Sequence, residues 1–274
     1  MLLPLSEGVL MNRNRAFHSI LLLFGAFVID FNLAVAFHEL GHATAVLIDG
    51  GQIQEFVLNP FSWSWNLGRN VQDILFTAWG GVTIGLGYTF IPLFFIRLVK
   101  NNVMKLVIKL LAGIGFLING IYLIFGVLYK VGDGAELTSL GVSPILLLAM
   151  GSVYVLFALI IWSEAQRNLG IDPQEAFSRR LLVMIGGVAP YMAMIVLYNY
   201  LFNSEQLTLW CGYAVTGVAL ACLFALCGHL WAKQVNRGAH HVEVSGLNGF
   251  IMLLIGILVI LMEFLIFGTP QHPF

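Results

Sequence analysis

Long apolar stretches alternate with short polar ones along almost the whole chain. A helix needs about 20 predominantly apolar residues to cross about 30 Å of hydrocarbon. Seven stretches come close to or exceed that length, at residues 17–48, 72–98, 104–129, 144–162, 181–202, 207–231 and 247–267. The pattern predicts an all-α polytopic membrane protein with about seven transmembrane helices.

The segment between the first and second stretches has a different pattern. It is too polar to span a membrane, and Asn59-Pro60 offers a turn after residues 52–58. In its second half, Phe61, Trp63 and Trp65 alternate with Ser62, Ser64 and Asn66. Alternation of this kind is typical of a strand. We therefore expect a short β-hairpin-like segment at the membrane surface, directly after the first span.

The composition agrees with a membrane protein. Of the 274 residues, 59% are hydrophobic and only 10% are charged, whereas a soluble domain has about 25% charged residues. The formal net charge is −1, so nothing in the composition indicates a nucleic-acid partner. We therefore expect the protein to be embedded in a lipid bilayer.

The basic residues predict an orientation in the membrane. If the N-terminus is cytoplasmic, the seven spans place only Arg69 and Lys130 on the opposite side. The other eleven of the 13 lysines and arginines then face the cytoplasm, which is the positive-inside distribution. We therefore predict a multi-pass integral membrane protein with a cytoplasmic N-terminus and a C-terminus outside.

The first span carries a motif with metal-binding chemistry, His38-Glu39-Leu40-Gly41-His42. Histidines four apart on a helix lie about 40° apart on one face, so both rings can reach one ion. A catalytic zinc takes three protein ligands and keeps a fourth position for water, and Glu39 would take the proton from that water. The alternative is a merely structural polar cluster. Since a charged group in lipid costs about 2 to 3 kcal/mol, intramembrane polar residues are usually functional.

The predicted topology supplies a third ligand. The helix from His18 to His38 is about 30 Å long, which places the motif towards the outer side of the membrane. The third span also runs outward and is followed by Val131-Gly132-Asp133-Gly134. Asp133 should therefore reach the same side, at a similar depth, as the two histidines. We take its carboxylate as the candidate third ligand.

Other polar and small residues in the first two spans have less specific interpretations. Asp30 could orient a ligand or line a hydrated cavity, with burial against a partner as the alternative. Asn32 is seven residues before Glu39 and so lies on nearly the same helix face. In the second span, Gly81 and Gly85 indicate a small-residue face for close helix packing.

These residues resemble the site-2 protease family of intramembrane zinc metallopeptidases, especially its compact bacterial and plant branch. In that family the His-Glu motif lies on a membrane helix, and a later helix brings an asparagine and an Asp-Gly pair. Here the third span carries Asn119 and leads to Asp133-Gly134. The resemblance implies His38, His42 and Asp133 as metal ligands and Glu39 as general base.

The resemblance covers about the first 140 residues. We therefore divide the chain into a metallopeptidase-like core at 1–140, made of three spans and the hairpin, and a four-span C-terminal membrane bundle at 141–274 of unknown role. Asn119, Asp30 and Asn32 are candidates for supporting the ligands or the oxyanion.

The leading functional hypothesis is a zinc-dependent intramembrane endopeptidase that cuts transmembrane or membrane-proximal protein substrates. A helical substrate must first unwind, and Phe61, Trp63 and Trp65 would bind the opened segment beside an edge strand. These aromatic residues could instead form a belt that anchors the loop. The alternative function is a non-proteolytic membrane scaffold or binding protein that retains the metal site. A transporter would need ionisable residues near the bilayer midplane, where Asp30 is the only strong candidate.

Overall fold

Helices make up most of this protein, whose structure is a computed structural model. It describes residues 7–62, 64–169, 177–234 and 244–267. Within them the helices are α1 Glu7–Ile48, α2 Ile74–Phe95, α3 Asn102–Tyr129, α4 Gly132–Ser139, α5 Pro144–Asn168, α6 Phe177–Phe202, α7 Leu207–Gln234 and α8 Gly246–Ile266. The strands are β1 Gln52–Val57 and β2 Trp65–Arg69.

Each predicted span coincides with one long helix. Among the described residues, seven helices are long and apolar enough to cross a membrane: α1, α2, α3, α5, α6, α7 and α8. The remaining helix, α4, has only eight residues. The predicted fold class is therefore confirmed, and the seven helices are compatible with a multi-pass membrane protein.

The end of α1 is fixed by a glycine turn that leads directly into β1. Gly50 has a φ of +82°, a conformation that glycine adopts without steric cost. Its N–H donates to the carbonyl of Leu47 at 3.2 Å, and the N–H of Gly51 donates to the carbonyl of Val46 at 2.9 Å. These two bonds form a Schellman motif, which satisfies carbonyls at the helix end. The chain can therefore leave α1 and turn back within two residues.

The predicted hairpin is present, with its second strand displaced along the chain. Strand β1 pairs antiparallel with β2, so that Gln52 faces Arg69 and Val57 faces Trp65. The aromatic alternation at 61–66 suggested an earlier start, but Phe61 lies in the turn before β2. Backbone pairing in the second strand instead begins at Trp65, opposite Val57.

The described residues fall into two compact units. The first comprises the described parts of Met1–Val28, Val99–Leu110 and Trp162–Ile257. The second comprises those of Ile29–Leu98, Leu111–Ile161 and Leu258–Phe274.

The first unit is held together by buried polar contacts as well as by packing of α6 on α7. The indole Nε1 of Trp162 donates to the carbonyl of Leu110 at 3.3 Å. The side-chain amide of Gln166 donates to the carbonyl of Phe224 at 2.8 Å. These hydrogen bonds satisfy polar groups that could find no partner among lipid chains.

The second unit contains the helix ends on which the candidate site is built. Its buried core is formed by side chains of α2, α3, α4 and α5, namely Ala78, Val82, Leu123, Leu137 and Leu147. Helices α1 and α2 approach closely at two glycines, since a Cβ on Gly80 would lie 2.6 Å from the carbonyl oxygen of Gly41. Side chains larger than glycine would therefore push these helices apart.

Candidate metal centre

The two motif histidines face each other on one side of α1. Their Nε2 atoms lie 3.1 Å apart. The two rings are nearly perpendicular, with centroids 4.8 Å apart. Spacing of four residues on an uninterrupted helix places both side chains on the same face.

Asp133 reaches the histidines from the first turn of α4. One oxygen, Oδ2, lies 2.9 Å from Nε2 of His38 and 3.1 Å from Nε2 of His42. The segment that follows the third span forms this short helix. Asp133 is 6% exposed, so its carboxylate is withdrawn from solvent and lipid alike.

The turn between α3 and α4 sets this position. Lys130 has a φ of +57°, and the N–H of Val131 donates to the carbonyl of Gly126 at 3.1 Å, as in a Schellman motif. Gly126 and Gly134 then pack backbone to backbone, because a Cβ on Gly134 would lie 2.6 Å from the carbonyl carbon of Gly126. The close approach carries Asp133, one residue earlier, against α1.

The three converging atoms fit the donor set of a divalent metal ion. Donors around a tetrahedral zinc at about 2.0–2.1 Å are separated by roughly 3.3 Å, close to the 2.9–3.1 Å between Nε2 of His38, Nε2 of His42 and Oδ2 of Asp133. The described residues therefore include a group, His38, His42 and Asp133, that could hold a metal ion.

The tautomer of His42 strengthens this fit. Its Nδ1 lies 2.8 Å from the carbonyl oxygen of Thr77, and a carbonyl can only accept, so Nδ1 must be the donor. When a metal ion displaces the proton on the other ring nitrogen, the lone pair is on Nε2, the atom that lies 3.1 Å from Oδ2 of Asp133. Backbone carbonyls orient metal-binding histidines in this way in many sites.

The two imidazoles also influence the carboxyl of Asp133. Burial alone would raise its pKa, but the charge and hydrogen bond of His38, followed by those of His42, outweigh burial and hold the pKa well below its usual range. Asp133 is therefore ionised in the folded protein, as a metal ligand must be.

The glycines of α2 leave room for the site. A Cβ on Gly81 would overlap the imidazole of His42. A Cβ on Gly85 would lie 2.8 Å from Oδ1 of Asn119 and 3.6 Å from Nδ1 of His38. The small-residue face predicted for this helix thus makes room for the side chains of His42 and Asn119 as well as for the backbone of α1.

Glu39 has a partner that the sequence did not indicate. Its Oε2 accepts a hydrogen bond from Nδ2 of Asn66 in β2 at 2.7 Å, and Glu39 is 7% exposed. The only sequence signal was the polar position of Asn66 in an alternating segment. Nothing in that pattern could show that the strand would lie against α1.

The three supporting candidates are all buried within the second unit. Asn119 donates from Nδ2 to the carbonyls of Gly115 at 2.8 Å and Gly85 at 3.3 Å, which places it beside His38. Asp30 accepts a hydrogen bond from the hydroxyl of Tyr88 at 2.5 Å, and Asn32 is 1% exposed. Their suggested roles at the metal or the oxyanion stay predictions.

The aromatic residues proposed for substrate binding have different surroundings. Phe61 packs against Phe264 of α8, with ring centroids 5.7 Å apart. Trp65 is 37% exposed, and its Nε1 donates to Oε2 of Glu55 at 3.0 Å. Trp63 lies outside the described residues. Trp65 is thus the described member of the three with a substantially exposed ring.

Comparisons with models of known protein families, with curated proteins and with solved structures found no match. The resemblance to site-2 proteases consequently remains a prediction from the motif residues.

Proposed function

We propose that this protein is a zinc-dependent intramembrane endopeptidase. The observation that carries the proposal is the convergence of His38, His42 and Asp133 within 3.1 Å beside Glu39. The two histidines and Glu39 belong to a helix long and apolar enough to span a membrane. Metal-assisted hydrolysis requires three protein ligands for the ion and a nearby carboxylate as general base, and these four residues could supply them.

His38, His42 and Asp133 would hold the ion. When bound, zinc would acidify a water molecule and polarise the substrate carbonyl. Thr77 and Asp133 keep the ring of His42 in the orientation that presents Nε2. Glu39 would accept the proton of the attacking water and pass it to the leaving amine as the peptide bond breaks.

The hairpin would receive the substrate. Strands β1 and β2 form a two-stranded sheet among the described residues, so the outer edge of each strand keeps backbone groups for another extended segment. A transmembrane substrate must lose helical hydrogen bonds before a carbonyl becomes accessible, and pairing with an edge would replace some of them. We therefore take membrane-embedded or membrane-proximal proteins as the substrate class.

The test is cleavage of a panel of tagged single-span proteins, co-reconstituted in vesicles with the zinc-loaded enzyme. Glu39→Gln should keep its zinc and lose cleavage by roughly 10²–10⁴-fold, the usual contribution of a general base. Glu136→Gln is the matched control, because Glu136 is an exposed carboxylate on α4. Equal cleavage by wild type and Glu39→Gln would reject the proposal. Zinc binding without any Glu39-dependent cleavage would favour the non-proteolytic scaffold.

A further inference from the structure

The two carboxyl oxygens of Glu39 have different surroundings. Oε2 accepts a hydrogen bond of 2.7 Å from Nδ2 of Asn66. Among the described residues, Oε1 accepts no hydrogen bond. One oxygen is therefore held by the hairpin, and the other is left to react.

The orientation of the Asn66 amide follows from its neighbours. Nδ2 lies near two oxygens of Glu39, Oε2 at 2.7 Å and the main-chain carbonyl at 3.4 Å. Both oxygens are acceptors, so the donor end of the amide must face them. The reversed amide would place Oδ1 against two oxygens.

The hairpin fixes Asn66 in this place. Along β2, exposed residues alternate with half-buried ones, and the half-buried pair is Asn66 and Gly68. Gly68 lies against α1 at Val46, because a Cβ there would be 2.8 Å from the valine methyl. Two residues on the inner face of β2 thus contact α1, one of them at Glu39.

The other strand is supported on the same face of the sheet. Phe56, which pairs with Asn66 across the sheet, packs against Phe267 at the end of α8, with ring centroids 5.7 Å apart. Phe61 makes a similar contact with Phe264. The last turns of α8 therefore hold the hairpin, and the hairpin holds the carboxylate.

We infer that Asn66 is a positioning residue for Glu39, holding Oε2 so that Oε1 is the atom that takes the proton. This inference rests on the proposed function. As the water oxygen forms its bond to the peptide carbon, the carbonyl π bond breaks and its electron pair moves to the carbonyl oxygen. The O–H bond of the water breaks at the same time, and the proton passes to Oε1. A carboxylate free to rotate would present either oxygen at varying distances, and an error of about 1 Å can cost roughly a hundredfold in rate.

The first test reads the hydrogen bond directly and needs no substrate. Infrared spectra of zinc-loaded protein, carrying ¹³C in the glutamate carboxyls, are compared with and without Glu39→Gln to isolate the Glu39 band. That band should shift in Asn66→Ala and move back towards its wild-type position in Asn66→Gln. Leu67→Ala, an exposed neighbour on the same strand, should leave it in place. An unchanged band in Asn66→Ala would overturn the inference.

The second test measures cleavage of the tagged single-span proteins in vesicles. Asn66→Ala should lower kcat by roughly tenfold to a hundredfold with KM within about twofold and zinc content unchanged. In the Glu39→Gln background the same change should have no further effect, because Asn66 acts through Glu39. A raised KM with normal kcat would assign Asn66 to substrate binding and overturn its positioning role. A wild-type protein that cuts no substrate would overturn the proposed function and, with it, the proton-accepting role of Oε1.

Discussion

Gly81 of α2 leaves the space that the imidazole of His42 fills. A Cβ at this glycine would lie within 2.7 Å of ring carbon Cε1 and closer still to Nε2. One residue earlier, at Gly80 and Gly41, α2 is already in close contact with the backbone of α1. A glycine on the second helix thus shapes the candidate metal centre although it offers no ligand.

Gly81→Ala should therefore weaken zinc binding, by roughly tenfold to a hundredfold, as changes beside metal ligands commonly do. The alanine would push His42 away from Asp133. Gly87→Ala on the same helix is the matched control, because nothing lies within 4 Å of its Cβ position. Competition with a fluorescent chelator measures the affinity. Equal affinity in the two variants would contradict the packing argument.

Removal of any one of the three candidate ligands should reduce bound zinc well below one ion per chain. We expect this for His38→Ala, His42→Ala and Asp133→Ala, because two donors bind zinc far more weakly than three. Glu136→Gln, on the exposed side of α4, should keep the wild-type stoichiometry. Atomic absorption of the purified proteins gives the answer. Full zinc content in Asp133→Ala would show that Asp133 is not a zinc ligand.

The stability of the metal-free protein should depend on Asp133 at acid pH. The imidazoles hold its pKa below the usual value, so the unfolded chain takes up a proton where the folded protein does not. The stabilisation is therefore fully present above about pH 4 and is lost as the pH falls below it. Thermal unfolding in detergent should show a smaller loss over this range for Asp133→Asn than for wild type. An equal loss of unfolding temperature with falling pH in wild type and Asp133→Asn would argue against the ion pairs of Asp133 with the histidines.

The partly buried contact between Asp30 and Tyr88 should stabilise the second unit. The tyrosine also stacks on Phe37, with ring centroids 4.6 Å apart, so the pair joins α1 to α2 next to the motif. A double-mutant cycle with Asp30→Asn and Tyr88→Phe should give a coupling of about 0.6 to 1.5 kcal/mol. Unfolding in mixed micelles measures it, with exposed Tyr129→Phe as the control. Strictly additive effects would show that the hydrogen bond does not contribute.

The parts of the fold that could be predicted are those that local sequence determines. Seven candidate spans follow from the length of apolar stretches, and helical spacing alone places His38 and His42 on one face. Asp133 was within reach because the topology places the end of the third span on the same side. That argument predicted that the carboxylate and the histidines lie near each other and could not give the distance.

The parts that could not be predicted depend on how distant segments pack. Asn66 contacts Glu39 only because β2 lies along α1, and Thr77 meets His42 only because α2 approaches at glycines. The start of β2 was also misplaced, since aromatic alternation at 61–66 continues through a turn that holds Phe61. Alternation of apolar and polar side chains indicates which residues are exposed, whereas backbone hydrogen bonding to the other strand decides where a strand begins.

The separation of the site residues along the chain has a consequence for biosynthesis. Asn66 follows Glu39 by 27 residues and Thr77 follows His42 by 35, whereas Asp133 follows His42 by 91. The shorter loops close at a smaller entropic cost, and translation at about 5–20 residues per second delivers them several seconds earlier. A nascent chain can therefore arrange its base and both imidazoles before the last ligand leaves the ribosome. Until then the proposed protease would be inert towards neighbouring proteins at the translocon.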